Sequence, residues 1–199
     1  MQLENSIYTL GGIPLTQIAN DFGTPLYVYD AEKIVSQYQK LKTAFPGNHV
    51  KIKYALKALN NINVLRLLKK AGAGLDAVSI CEVQLGLRAG FFASEILFTP
   101  NGVSFNEIKE AIKLGVQINI DNISTLEQFG HEYGNKVPCC IRLNPHIVAG
   151  GNVHIQTGHI DSKFGISIHQ LRHVLRIVEK EKNRPESETR TQQRPAEHS

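Results

Sequence analysis

The chain has 199 residues, 42% hydrophobic and 20% charged, which provides for one main core and leaves little room for two full domains. The net charge is +4 and the 22 lysines and arginines are scattered, which argues against nucleic-acid binding. No apolar run approaches the roughly 20 residues of a membrane span. The N-terminus also lacks a signal-peptide pattern, so we expect a cytoplasmic protein.

A short apolar run rich in β-formers, followed by an amphipathic helical stretch and a glycine, recurs along the chain. The runs that this pattern predicts as strands are Leu26–Tyr29, Lys51–Lys57, Leu75–Ser79, Ile96–Thr99, Gln117–Ile120 and Cys139–Leu143. Strands that alternate with helices at this spacing pair in parallel through right-handed crossovers. Two architectures fit this pattern: a closed barrel and an open doubly wound sheet.

The predicted helices have recognisable faces and ends. One-face spacing predicts a first helix that buries Ile34, Tyr38, Leu41 and Phe45. Capping boxes predict three later helix starts, at Ser79 with Glu82, Ser104 with Glu107, and Ser124 with Glu127. The glycines predicted to end helices are Gly47, Gly72, Gly90, Gly115 and Gly134.

The end of the chain departs from this pattern. An apolar stripe predicts a last helix through Ile168, Leu171, Val174, Leu175 and Val178. Residues 181–199 contain almost no apolar side chains, which predicts a solvated, disordered tail. Six strands cannot close an eight-stranded barrel, so either the sheet is open or the chain lacks a remainder.

Lys57 ends an otherwise apolar predicted strand. Alternation places Lys53, Ala55 and Lys57 on one face, and in a barrel Lys57 would lie near the carboxyl-end rim, where barrel chemistry occurs. An isolated lysine at a strand end ordinarily extends into water. A lysine partly removed from water at such a rim is a competent amine for a Schiff base with an aldehyde cofactor. No glycine-rich dinucleotide motif follows a predicted strand, which disfavours a Rossmann-type dehydrogenase.

Two segments carry a resemblance to a known family. YALKALNNINVLRLLKKAGAGLDAVSICEV, with Lys57, Gly74, Asp76 and Ser79, resembles the cofactor-lysine region of the fold-type III pyridoxal-phosphate decarboxylases. IRLNPHIVAGGNVHIQTGHIDSKFGIS resembles the arginine strand and mobile loop of the diaminopimelate decarboxylases within that group. In this second segment, the pattern from Thr157 to Gly165 favours these enzymes over ornithine and arginine decarboxylases.

The resemblance implies an α/β fold of the (β/α)8 TIM-barrel type, incomplete here, with about six βα units present. Residues 1–25 would contribute to a second, β-rich domain, and residues 26–180 would form the partial barrel that binds pyridoxal 5'-phosphate. Residues 181–199 would be the polar tail.

The resemblance also implies residue roles. Lys57 would bind the cofactor covalently, and Asp76 would orient a cationic amine; the alternative explanation for Asp76, which we favour less, is an ordinary hydrogen bond at the barrel rim. Arg142 would approach the cofactor, or else pair with a nearby carboxylate. Ser162 and Lys163 would close a loop over the amino-acid substrate.

We expect no metal site. His154 and His159, and the cysteines Cys139 and Cys140, lack metal-ligand spacing. The cysteines, with Cys81, are also odd in number and unlike a disulfide scaffold, so we interpret all three as reduced, structural thiols.

The implied reaction is decarboxylation of meso-diaminopimelate to L-lysine by a cytoplasmic homodimer. The phosphate-binding glycine loop and other segments that the family places beyond residue 180 do not occur, so we expect a truncated or frame-shifted chain that is inactive alone. Two alternatives stay open: another decarboxylase or a racemase of the same barrel, and a non-catalytic, cofactor-binding fragment that dimerises with a complete relative.

Overall fold

The computed structural model describes residues 2–4, 6–45, 50–147 and 165–182. The chain begins with an antiparallel meander of β1 (Gln2–Glu4), β2 (Ile7–Leu10) and β3 (Ile13–Pro14), followed by helix α1 (Leu15–Phe22). The meander forms a sheet of its own, separate from the main sheet.

The main sheet is parallel, and its strands follow one another in chain order. They are β4 (Lys53–Ala55), β5 (Gly74–Ala77), β6 (Ile96–Phe98), β7 (Gln117–Ile120) and β8 (Cys139–Ile141). The chain then continues as β9 (Leu143–Asn144), which pairs in parallel with β10 (Ile166–Ser167). Arg142 joins the two ladders, because its amide donates to Ile120 O and its carbonyl accepts from Ile166 N, both at 2.8 Å. The predicted α/β class with a parallel sheet is confirmed.

The first predicted strand, Leu26–Tyr29, is wrong. The segment is irregular and exposed, with Tyr27 89% exposed, and it pairs with no strand in the described part of the chain. Alternating apolar residues favour an extended backbone, but a strand also needs a neighbour for its N–H and C=O groups. The prediction missed β10, a two-residue strand that pairs with β9.

Of the remaining helices, the first precedes β4 and each later one follows a strand. They are α2 (Ala31–Thr43), α3 (Ile62–Ala71), α4 (Ile80–Arg88), α5 (Phe105–Lys113), α6 (Ile123–Tyr133) and α7 (Leu171–Lys182). The predicted face of α2 is only partly buried, since Tyr38 is 8% exposed whereas Leu41 and Phe45 are about half exposed. Helix α7 continues two residues past the predicted limit of residue 180, and its residue Glu181 is buried.

Two of the predicted capping residues begin helices. Ser104 forms a complete capping box with Glu107 at the start of α5. Ser79 caps α4 by accepting from the Glu82 amide at 3.2 Å, while the Glu82 carboxylate accepts from the amide of Val78 instead of closing the box. These caps fix where α4 and α5 leave the carboxyl ends of β5 and β6.

The third predicted cap, Ser124, is wrong. Helix α6 begins two residues earlier, where the Asn122 side chain accepts from the Thr125 amide at 2.8 Å. Asparagine caps a helix as well as serine does, so the earlier residue took the role. The helix-ending glycines have positive φ as expected at Gly72, Gly90, Gly115 and Gly134, and Gly47 lies outside the described residues.

The two faces of the main sheet differ. One packs against helices and is almost fully buried; its residues include Leu75, Ala77, Ile96, Phe98, Ile118 and Ile120. The alternate residues form the other face, which we call the polar face; they include Lys53, Ala55, Asp76, Leu97, Asn119 and Cys140. Hydrophobic packing is thus concentrated on one side of the sheet, and the other side is left for polar groups.

Candidate functional site

Lys57 lies just beyond the carboxyl end of β4. The predicted strand Lys51–Lys57 is shorter than expected, because the chain turns into a 3-10 helix at Leu56–Ala58. Leu56 is completely buried and anchors this turn, whereas Lys57 is exposed. A fixed backbone therefore presents an accessible amine at the carboxyl edge of the sheet.

Both sides of the Lys57 turn are tied down. The Tyr54 hydroxyl donates to the carbonyl of Leu59 at 3.2 Å. The Asn61 side chain caps α3 by accepting from the amides of Asn63 and Val64 at 2.9 and 3.4 Å. These contacts restrain the backbone around Lys57 before any ligand binds.

Asp76 lies on the polar face, on the strand next to that of Lys57. Its register partners are Ala55 in β4 and Leu97 in β6. Its Oδ1 atom is buried and accepts no hydrogen bond from the described residues. An unsatisfied buried acceptor is costly, by about 1–3 kcal/mol. A cationic amine or N–H group at this edge would satisfy the Asp76 carboxylate.

Thr99 was missed by sequence reasoning. It follows β6, and its amide donates to the carbonyl of Ala77 at 2.8 Å. Its Oγ1 is buried and, like Asp76 Oδ1, has no hydrogen-bond partner among the described residues. The one available signal was its position in the predicted strand Ile96–Thr99, two residues beyond Leu97 and thus on the side of the sheet that carries Asp76.

The remaining predicted site residues are not next to Lys57 in the described structure. Arg142, between β8 and β9, is partly buried, and three strands separate its position from β4. Ser162 and Lys163 lie outside the described residues. The structure therefore brings together Lys57 and Asp76, and sets Arg142 further along the sheet.

Lys53 belongs to the opposite end of the polar face. Its Nζ donates to the carbonyl of Glu95 at 2.9 Å, at the amino end of β6. Burial lowers the pKa of Lys53, as does repulsion from Lys51, while attraction to Asp76 partly offsets both. Lys53 and Lys57 thus lie toward opposite ends of the sheet.

The cysteines are free thiols. Burial raises the pKa of Cys139, which faces the core, while Cys140 is exposed on the polar face. Within the described ranges, no cluster of three or more histidine, cysteine or acidic side chains could hold a metal ion. None of the helices described combines the length and hydrophobicity of a membrane span.

These features define a class: a βα-repeat domain with polar groups at the carboxyl edge of a parallel sheet, where such folds place their sites. Residues 31–183 match the family model described as pyridoxal-dependent decarboxylase, pyridoxal binding domain. The chain belongs to this family, whose cofactor is pyridoxal phosphate. The unsatisfied oxygen of Asp76 beside an accessible lysine fits such a group.

The curated relatives that this chain resembles include diaminopimelate decarboxylases. The chain is 37% identical over 171 residues to the diaminopimelate decarboxylase of Methanothermobacter thermautotrophicus, a match that covers 85% of this chain and 40% of that protein. The chain thus spans about two fifths of the length of such relatives.

Solved structures of decarboxylases superpose on most of this chain. Helicobacter pylori diaminopimelate decarboxylase complexed with L-lysine superposes with a TM-score of 0.76 at 34% identity, over 84% of this chain and 43% of that one. Lysine/ornithine decarboxylase from Vibrio vulnificus, complexed with putrescine, gives a TM-score of 0.70 at 28% identity, over 84% and 42% of the two chains.

Proposed function

We propose that this chain is part of a diaminopimelate decarboxylase in which Lys57 binds pyridoxal 5'-phosphate. The observation that carries the proposal is the placement of an accessible lysine, on a restrained turn, one strand from the buried and unsatisfied carboxylate oxygen of Asp76. The family match and the curated relatives support it.

In the complete protein, the reaction is the removal of carbon dioxide from meso-diaminopimelate to give L-lysine. When bound, the cofactor supplies an electron-withdrawing ring for this chemistry. Lys57 would hold the cofactor through Nζ and would be placed to return a proton to the product. Asp76 orients the cationic amine.

The remaining roles are supported by the resemblance of the sequence. Arg142 approaches the cofactor side of the sheet, and Ser162 and Lys163 help to exclude water from the bound substrate. The complete protein is a (β/α)8 barrel, to which this chain contributes its parallel strands. The antiparallel meander of residues 2–14 supports assignment of residues 1–25 to a second, β-rich domain. We place the complete protein in the cytoplasm as a homodimer.

The test is covalent capture of the cofactor by the purified chain. The chain is mixed with pyridoxal 5'-phosphate, reduced with borohydride and digested, and the modified lysine is located by mass spectrometry. Lys57 should carry the adduct, and a band near the visible edge should precede reduction. Lys57→Ala should lose both. Lys51→Ala, which removes an exposed lysine of the same segment, should keep both. Equal labelling of many lysines, unchanged in Lys57→Ala, would contradict the proposal.

A second substrate assignment is favoured by one observation. The similarity to lysine/ornithine decarboxylase means that the shared fold accommodates enzymes named for different amino acids. Carbon dioxide release by the complete protein from meso-diaminopimelate, lysine and ornithine, each supplied alone, separates the two assignments. Release from lysine or ornithine, with none from diaminopimelate, would replace the first assignment by the second.

A further inference from the structure

Two buried polar atoms without partners lie on neighbouring strands at the candidate site. Asp76 Oδ1 is on β5, and Thr99 Oγ1 follows β6. Buried polar groups in native proteins are hydrogen-bonded as a rule, and each exception calls for a physical explanation. Neither atom receives a hydrogen bond within the described part of the chain, so a common external partner is a natural explanation for both.

The register of the sheet places these groups around Lys57. Ala55, Asp76 and Leu97 form one row across β4, β5 and β6. Thr99 is two residues further toward the carboxyl edge than Leu97, and Lys57 lies beyond Ala55 in the 3-10 turn that follows β4. Two residues advance a strand by about 7 Å, and neighbouring strands lie about 4.8 Å apart. Thr99, just after β6, and the turn that carries Lys57, just after β4, therefore lie on either side of Asp76 at the carboxyl edge of the sheet.

The chemistry of the two groups is complementary. An ionised carboxylate only accepts hydrogen bonds, whereas a hydroxyl both donates and accepts. A ligand that satisfies both offers a donor to Asp76 and an acceptor to Thr99. A pyridoxal group bound at Lys57 has this character, since the amine end donates and the phenolic and phosphate oxygens accept.

Packing alone does not account for a threonine here. Valine has nearly the same shape and would fill the position with no polar atom to satisfy. Replacing an unsatisfied buried hydroxyl by an apolar group of the same shape is neutral or stabilising for the folded chain. Keeping the hydroxyl is useful if a ligand accepts its hydrogen bond.

We propose that Thr99 is a further binding residue of the site, and that its hydroxyl hydrogen-bonds an oxygen of the pyridoxal group. This inference rests on the proposed function for the identity of the ligand. Removal of the Thr99 hydroxyl should therefore weaken ligand binding, and the unliganded chain should be as stable as before or more stable. A purely structural hydroxyl would not couple the two effects in this way.

The experiment compares the unmodified chain with Thr99→Val and Thr99→Ser. The probe is pyridoxamine 5'-phosphate, which has no aldehyde and so binds without a bond to Lys57. Titration calorimetry gives Kd, and a thermal melt gives Tm without ligand. Thr99→Val should raise Kd roughly 3- to 10-fold, the value of one lost hydrogen bond, and leave Tm unchanged or up to about 4 °C higher. Thr99→Ser should keep Kd within about twofold.

Thr9→Val is the matched control. Thr9 Oγ1 is another buried hydroxyl oxygen without a partner among the described residues, but it lies on β2 of the separate meander. Thr9→Val should change Tm in the same direction as Thr99→Val and leave Kd unaltered.

The outcomes separate the inference from the proposed function. An unchanged Kd in Thr99→Val, or no binding of pyridoxamine 5'-phosphate by the unmodified chain, overturns the inference. A lower Tm of the unliganded Thr99→Val chain with unaltered affinity assigns the hydroxyl a structural role and also overturns it. Thr99-dependent binding without a borohydride-fixed adduct on Lys57 supports the inference and counts against the proposed function.

Discussion

Glu181 packs against Gly130 so closely that a β-carbon at residue 130 would lie 2.7 Å from the Glu181 Cγ and 2.9 Å from its Cβ. Gly130 is in α6 and Glu181 is near the end of α7, and both residues are buried. The nearest atoms belong to the base of the glutamate side chain, which cannot swing aside without movement of α7. Because Gly130 has no side chain, α6 and α7 can approach each other this closely.

Gly130→Ala should destabilise the chain by about 1–3 kcal/mol in urea unfolding, because forcing α6 and α7 apart costs more than the better helix propensity of alanine returns. Gln128→Ala, an exposed substitution in the same helix, should stay within about 0.5 kcal/mol of the unmodified chain. A Gly130→Ala chain as stable as that control would contradict the packing described.

The ion pair between Lys69 and Glu95 should make stability depend on pH. Burial alone would raise the pKa of Glu95, but hydrogen bonds from the Lys69 amine and the Phe92 amide outweigh it and lower the pKa below its ordinary value. The carboxylate thus contributes stability above its unfolded pKa of about 4.3. That contribution is lost as the pH falls through the lower, folded pKa.

Between pH 7 and pH 3, the free energy of unfolding should therefore fall less in Lys69→Met than in the unmodified chain. Urea unfolding at the two pH values measures this difference. The expected difference is about 0.5–1 kcal/mol, since both side chains are partly exposed. Lys69 also lies over the Phe92 ring, 4.5 Å from its centroid, so the two pH values are compared within each chain before the chains are compared with one another. Lys70→Met, its exposed neighbour, should keep the pH dependence of the unmodified chain. Identical pH dependence in all three chains would remove the ion pair as its cause.

The structure and the sequence pattern give different capping residues for α6, Asn122 and Ser124 respectively. Asn122→Ala should cost about 1 kcal/mol, because the Thr125 amide loses its acceptor. Ser124→Ala, inside the helix and exposed, should cost almost nothing. Urea unfolding of the two variants decides between the caps, and the reverse order would restore the predicted capping box.

Local patterns predicted most of the fold because each βα unit has its own signals. The capping box at Ser104 and the apolar run at Gln117–Ile120 correspond to a helix start and a strand in the structure. Leu26–Tyr29 failed because a strand depends on a partner elsewhere in the chain, which its own residues do not reveal. The two-residue strand β10 was missed because it is too short for alternation to be visible.

The candidate site was predictable to a lesser extent. Lys57 was recognisable as a charged residue that ends an apolar segment within a family motif. Thr99 is an ordinary residue in a β-rich run, and its importance comes from the burial of one oxygen without a partner. That property arises from the pairing of β5 with β6, which only the assembled sheet reveals.

Strand order in the main sheet has a consequence for synthesis. Because β4 to β8 are added in the order in which they are translated, each new strand meets an edge that has already left the ribosome. Within the described main sheet, each strand pairs with the strand that precedes it in the chain, which limits loop-closure costs and favours stepwise growth of the sheet from β4 onward. The lysine turn after β4 is thus among the first parts of this sheet to emerge, and its neighbours Asp76 and Thr99 arrive with the next two strands.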